Sequence, residues 1–289
     1  MRVGKDKINF SMDKNHKAVC KVKSGDSIIF ETCDCFTDTI KSEDDLVSSV
    51  DFSRVNPATG PVYIEGAKKG DVLKVDIIKI NVKDSGVSVA VPNMGRLGSK
   101  VEKEETLVGK IVGDKIQIGS DRLDLNKMIG VIGTAPENDP VVTGTPDYHG
   151  GNMDCKMVRE GVSLYLPVNV EGALLSLGDL HACMGDGEIM GAGLEIAGEV
   201  ELKVEILKDF SYKLPMIESE DAWISIGSAE NMEAASDLAI ANMADFLMKK
   251  KSISLNQAGI LLSLAGDLRV CQIVNPNRTM RMEFPKKYL

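Results

Sequence analysis

The sequence predicts a mainly β, sandwich-like fold of many short strands with a helical pair near the C-terminus, α+β overall. Three observations carry this. Short runs rich in Val and Ile, partly alternating, recur at 17–22, 27–33, 72–82, 86–91, 107–112 and 115–118. A Gly-Asp pair punctuates the chain at Gly25-Asp26, Gly70-Asp71, Gly113-Asp114 and Gly178-Asp179; three of these open a run and the fourth closes one. Glycine there supplies positive φ and aspartate bonds back to the backbone, which is turn chemistry. Helical spacing takes over only in the last quarter.

In order, the first two-thirds reads as strands at near-regular spacing, which favours a sandwich or barrel over βαβ units. Two loops between them can line a pocket: Asn56-Pro57-Ala58-Thr59-Gly60-Pro61, before the strand Val62–Glu65, and Val91 to Gly98 with its single cation Arg96. The runs 162–168 and 173–177, joined by Asn169-Val170-Glu171-Gly172, predict a hairpin. Folding about that turn returns Asp179 to His181 to the level of His149, Asn152 and Asp154. From Gly191 to Leu207 the pattern alternates, with Glu201, Lys203 and Glu205 on a solvated face and Glu195 nearest the glycine-rich segment. A helix is expected from a Ser228 cap to about Lys250, its last turn basic. A second starts at Ser254, where Gln257 completes a capping box, and stops near Gly266. Residues 268–274 then read as a strand, and the methionines as core filler.

The 289 residues suit one compact catalytic unit with sub-lobes 1–134 and 135–289. A net charge of −9 argues against nucleic acid or an anionic membrane as partner. The N-terminus lacks the apolar run of a signal peptide, and no stretch approaches the roughly 20 apolar residues of a membrane span, which predicts a cytoplasmic location. Six cysteines show no paired framework and read as buried free thiols.

Chemistry concentrates in Ser176 to Glu201. This segment sets His181 and the acids Asp179, Asp186, Glu188, Glu195 and Glu199 among glycines. Residues two apart share a face in extended chain, so Asp179 with His181, and Asp186 with Glu188, can each aim at one point. Donors of this kind on a bendable backbone suit a divalent cation, Zn²⁺ with an open position for water or a harder ion such as Ca²⁺. There is no Gly-x-Ser-x-Gly elbow, His-Glu-x-x-His helix, phosphate loop or dinucleotide fingerprint. A metal-held water attacking a polarised carbonyl is hydrolysis, with a spare carboxylate as general base and then acid. The N–H groups of Gly150, Gly151, Gly185 or Gly187 are candidates to hold the oxyanion.

Two blocks, His149-Gly150-Gly151-Asn152-Met153-Asp154 and Gly178-Asp179-Leu180-His181-Ala182 followed by Gly185-Asp186-Gly187-Glu188, resemble the signatures of the acetamidase/formamidase family. So do Asn56 to Ala67, Asp34-Cys35-Phe36 and the loop from Pro92 to Gly98, in order along nearly the whole chain. One difference is Met184, where the family's familiar form has Gln. The resemblance implies a β-rich sandwich-like fold, a homodimer or higher oligomer, a divalent metal near the blocks, and hydrolysis of short amides to carboxylate and ammonia. On this reading Asp34, His149, Asp179 and His181 hold the metal. Glu188 is the general base, His181 shares in catalysis, and Asp186 orients Glu188 or adds a ligand. Asn152, Asp154, Glu65, Gly150 and Gly151 bind the substrate. The rival readings are a hydrolase of a larger or cyclic amide and a non-catalytic cation- or ligand-binding β protein.

Overall fold

The computed structural model describes residues 1–289 and is mainly β with two helices near the C-terminus. Its largest sheet has nine strands, in the order Arg2–Val3, Ser27–Thr32, Gly198–Leu207, Val72–Val82, Ser163–Pro167, Met216–Glu218, Ala222–Ala229, Arg278–Pro285 and Asp267–Gln272. A six-stranded sheet runs Gly150–Asn152, Met128–Gly133, Leu175–His181, Ala58–Glu65 and Ile8–Asn9, with Cys20–Lys23 parallel to Ala58–Glu65. Strands from residues 1–134 and 135–289 interleave in both. A four-stranded sheet of Ser85–Ala90, Glu105–Val112, Lys115–Ile118 and Asp121–Asp124 lies to one side.

The sequence pattern explains the layers. Gly198–Leu207 alternates buried and part-exposed residues, as a strand with one covered face should. Met128–Gly133 and Leu175–His181 are buried at every position, on both faces. The two large sheets share one core, in which Phe30, Ile77, Leu164 and Leu202 meet Ile64, Ile129, Leu177 and Leu180. A second core of Tyr165, Trp223, Phe246 and Phe284 lies beneath the helices, with the Trp223 and Phe246 rings 4.9 Å apart. All six cysteines are free, and no helix is long and apolar enough to cross a membrane.

The expected hairpin does not form. Ser163–Pro167 pairs with Val72–Val82 and Met216–Glu218, whereas Leu175–His181 pairs with Met128–Gly133 and Ala58–Glu65. Ala173 and Leu174 take φ of 58° and 57°, turning the chain out of one sheet into the other. Two runs this apolar bury more surface in opposite layers than side by side. Asp154 and Asp179 still meet over Gly130, because Gly150–Asn152 pairs with Met128–Gly133, itself paired with Leu175–His181; His149, beside Gly133, does not join them.

The helices are α1, Met232–Lys251, and α2, Leu255–Ala265. The capping box of Ser254 and Gln257 forms as expected. The cap of α1 is Asn231 rather than Ser228, its side chain accepting from the Ala234 N–H at 2.9 Å. Ser228 is still in strand Ala222–Ala229, its Oγ 3.0 Å from that of Thr279, so the helix cannot begin there. Asn231→Ala is expected to cost about 1 kcal/mol of unfolding free energy, read from urea denaturation.

Candidate active site

The site begins with an irregularity in a fully buried strand. The ladder between Leu175–His181 and Met128–Gly133 pairs Gly178 with Val131 and Leu180 with Ile129, stepping over Asp179. Asp179 has φ of 55°, a conformation uncommon for a residue with a side chain. Gly130 lies opposite, and a Cβ on it would stand 2.6 Å from Asp154 Oδ1 and 2.7 Å from Asp179 Oδ2. Glycine is thus required where two carboxylates converge over the backbone.

Around this point further side chains close in. His181 Nε2 lies 3.2 Å from Glu195 Oε2 and 3.5 Å from Asp179 Oδ1. Glu195 is held by two backbone bonds to Val87 and accepts from the Gly193 N–H at 2.8 Å. Asp154 Oδ2 accepts from Asn275 Nδ2 at 2.6 Å, and Asn275 also reaches the Asn152 carbonyl. Two triads result, Asp154 with His181 and Glu188, and Cys35 with Asp179 and Glu195. In each, one donor atom per residue lies within 4.8 Å of the others.

The chain's eight buried side-chain nitrogen and oxygen atoms without a well-formed hydrogen bond belong to His149, Asn152, Asp154, Asp179, His181, Glu188 and Glu195. Folded proteins leave few such atoms, and here all lie in the two signature blocks and the short segment that follows them. Burial, then the charge of Asp179, pushes Asp154 up to about 8. Burial, then the charge of Asp154, holds Glu188 well above the ordinary carboxylate range. Burial raises Glu195 to about 7 against the pull of His181. His181 would be lowered by burial, but Glu195 and Asp179 outweigh it and hold the imidazole well above its usual value. Four buried carboxylates face one imidazole, so the group lacks positive charge. These carboxylate, imidazole and thiol donors could hold a divalent cation, which would supply it.

A cleft of about 380 Å³ reaches this cluster, with Asn152, Asp179, Glu188 and Glu195 at its floor. Its wall is apolar, formed by Phe36, Phe52, Val55, Met94 and Val142. Both loops singled out in the sequence contribute, through Asn56 and Met94. Met184 does not line this cleft; it lines a second cavity of about 330 Å³ that Glu188 also borders.

The other expected site residues lie elsewhere. Asp34 Oδ1 accepts from the N–H groups of Phe36 and Asp38 at 2.9 and 2.8 Å, a turn that presents Cys35, and burial raises its carboxyl to about 6. His149 is fully buried, stands over Gly151 and belongs to neither triad; burial lowers it to about 4. Asp186 turns from the cluster to Arg281, in two bonds of 2.8 and 2.9 Å, and to Lys156 at 3.0 Å. Glu65 is exposed at the end of Ala58–Glu65. The Gly150 N–H donates to Asp147 and that of Gly187 to Cys271, so neither is free for an oxyanion.

Sequence reasoning kept Glu195 as a candidate but missed Gly130, Asn275, Gln272 and Arg281. Gln272 is fully buried and accepts from the N–H groups of Val274 and Asn275, fixing the loop that delivers Asn275. A polar residue directly after the apolar pair Val270-Cys271, three residues before Asn275-Pro276, was the available signal. Arg281 is 1% exposed and locks the glycine-acid loop to strand Arg278–Pro285 through Asp186.

Two outcomes follow for this geometry. Burial raises Asp186, but Arg281 and Lys156 outweigh it and leave its carboxyl below the ordinary range. The pair's contribution is therefore full above the ordinary value near ~3.9 and lost as pH falls through the lowered one. Arg281→Met should cost roughly 2–3 kcal/mol at neutral pH, less than a fully buried pair because Lys156 remains, and the deficit should shrink below about pH 4 in urea titrations. Gly130→Ala should keep the far-ultraviolet dichroism and weaken Zn²⁺ binding by about 10–100-fold in calorimetry.

The acetamidase/formamidase family model matches residues 12–144 and 138–288. An acetamidase of Bacillus halodurans is 47% identical, with a TM-score of 0.98 over 100% of this chain and 98% of its own. An acetamidase/formamidase predicted in Thermoanaerobacter tengcongensis is 42% identical, with a TM-score of 0.97 over 100% and 96%. A formamidase of Methylophilus methylotrophus is 28% identical over 252 residues, 66% of this chain and 62% of that relative. The chain thus spans under two thirds of the length of the curated relatives it matches. With both signature blocks meeting at one buried cluster, the chain belongs to the acetamidase/formamidase family.

Proposed function

We propose that the protein is an amidohydrolase that cleaves the C–N bond of short aliphatic amides, of the formamide and acetamide type, to carboxylate and ammonia. The observation that carries this is the set of buried acids Asp179, Glu188 and Glu195 at the floor of an open cleft, with the His181 imidazole against Asp179 and Glu195 behind them. On this reading residues 1–289 act as one catalytic unit, and Asp154, Asp179, His181 and Glu195 hold a divalent cation, with Cys35 beside them. A thiol within reach of these donors favours zinc over calcium. When bound, such an ion polarises the amide carbonyl and lowers the pKa of water.

The chain's own residues do the rest. Glu188 is 7% exposed and borders the cleft, so its carboxylate reaches substrate. It takes a proton from the attacking water as the new C–O bond forms, and returns it to the leaving nitrogen as the C–N bond breaks. Asn152 Oδ1 is unpartnered and accepts from the amide N–H, orienting the carbonyl. Asn275 holds Asp154 from behind, and Asp186 with Arg281 positions the Glu188 loop rather than meeting the substrate.

The apolar wall of Phe36, Phe52, Val55, Met94 and Val142 favours a second reading, a larger or cyclic acyl group. Ammonia release from formamide, acetamide, propionamide and hexanamide separates the two: a rate that falls with chain length supports the first and one that rises supports the second. Glu188→Gln should lose about 10²–10⁴-fold in kcat with metal content kept, whereas His181→Ala should lose the metal. Full turnover by Glu188→Gln would contradict the assignment.

A further inference from the structure

The segment from Gly185 to Gly191 borders two spaces. Gly191 lines the cleft described above; Gly185, Ile189 and Met190 line the second cavity, of about 330 Å³; Glu188 alone borders both. Glu188 takes this position with φ of 50°, and its Oε2 has no hydrogen-bond partner. The segment is pinned from several sides. The Gly187 N–H donates to the Cys271 carbonyl at 2.8 Å and the Arg96 N–H to the Ile189 carbonyl at 2.7 Å. A Cβ on Gly95 would stand 2.5 Å from the Met190 backbone, so the loop over it is closely packed.

The chemistry of the second cavity selects its occupant. Ile116, Ile118, Leu123, Met184 and Ile189 make its walls apolar. Its two charged residues are both acids, Asp186 and Glu188. Asp186 is already paired with Arg281 and Lys156, which leaves Glu188 for a ligand. Ammonia needs little of such a volume, which falls within the roughly 300–1,000 Å³ of small-molecule sites. Ammonium, moreover, loses hydration against apolar walls. An alkyl chain ending in an amine nitrogen matches both parts, the chain against the walls and the nitrogen at Glu188.

In the hydrolysis proposed above, the leaving nitrogen is the atom that Glu188 protonates. A substituent on that nitrogen therefore starts beside Glu188, at the one residue the cavity shares with the cleft. A secondary amide still keeps one N–H for Asn152 Oδ1. Resting on the amidohydrolase reading, we propose that the protein also cleaves N-alkyl amides. The nitrogen's alkyl chain seats against Ile118, Leu123 and Met184, and the alkylamine product is held there with its nitrogen at Glu188. The water oxygen bonds to the carbonyl carbon and the C–N bond breaks. Glu188 passes to the nitrogen the proton it took from water, and the nascent carboxylic acid gives a second. The products are a carboxylate and an alkylammonium ion.

The test uses the full, Zn²⁺-loaded chain and reads formate released from formamide and from N-methyl-, N-ethyl- and N-butylformamide. Along the N-alkyl series kcat/KM should rise about threefold per methylene, as burial of each methylene predicts. Leu123→Trp, which fills the cavity from a position 44% exposed, and Met184→Gln, which makes its wall polar, should each lose about tenfold on N-butylformamide and keep turnover of formamide. Calorimetry should find butylamine bound by the wild type and at least tenfold more weakly by Leu123→Trp. Formamide cleaved but no N-alkyl amide cleaved, a rate that falls along the series, or variants without effect on it would overturn the inference and leave the amidohydrolase reading standing. No formate from formamide would overturn that reading instead. The cavity's assignment would then be decided by butylamine: binding weakened by Leu123→Trp supports an alkylamine site, and binding absent or indifferent to the substitution overturns it.

Discussion

Four carboxylates and one imidazole buried together, with too little positive charge among them, are the constraint to which the rest of the structure answers. Asp154, Asp179, Glu188 and Glu195 are each under one-tenth exposed, beside His181 at 1%. Burying such groups unpaired is among the costliest arrangements a fold can hold. It persists because the two large sheets and the loops over them fix the backbone around it. Asp179 sits in a strand covered on both faces, and Glu188 sits in a turn pinned from behind by Asp186 and Arg281. The proposed cation resolves the imbalance, and the same imbalance gives that cation its affinity.

Glycine sets the geometry at the closest approaches. A side chain on Gly130 would meet the carboxylates themselves, and one on Gly178 would lie 2.1 Å from the Pro57 carbonyl oxygen. Both glycines lie in strands, where glycine weakens local pairing. That weakness is offset by the burial of the strands around them, and what it permits is two donors, Asp179 and His181, set into a sheet, with the loop residues Asp154, Glu188 and Glu195 gathered around them. A site on such a frame keeps its geometry when substrate enters.

Much of the fold was legible because its signals are local. The Gly-Asp turns, the alternating run into Leu207 and the Ser254–Gln257 box each lie within a few residues. The hairpin expectation failed because Ser163–Pro167 and Leu175–His181 are adjacent in sequence yet belong to different sheets, which adjacency cannot reveal. In the site, Asp179, His181, Glu188 and Glu195 were legible as one glycine-rich cluster, and Asp154 and Asn152 as part of a second block. Cys35, Asn275 and Arg281 reach the site through space from distant parts of the chain. Asp186 was read as orienting Glu188 or adding a ligand; what the sequence could not show is its partner Arg281, which lies 95 residues away.

The central claim is tested most directly by the metal content and thermal unfolding of the purified protein, before and after chelation and with Zn²⁺ restored. The account predicts bound divalent metal, a melting temperature that falls when it is stripped, and recovery on reloading, since a ligand bound only by the folded state stabilises it. Protein that binds no divalent cation and melts unchanged in chelator would contradict it, and would leave the buried acids without the charge that explains them.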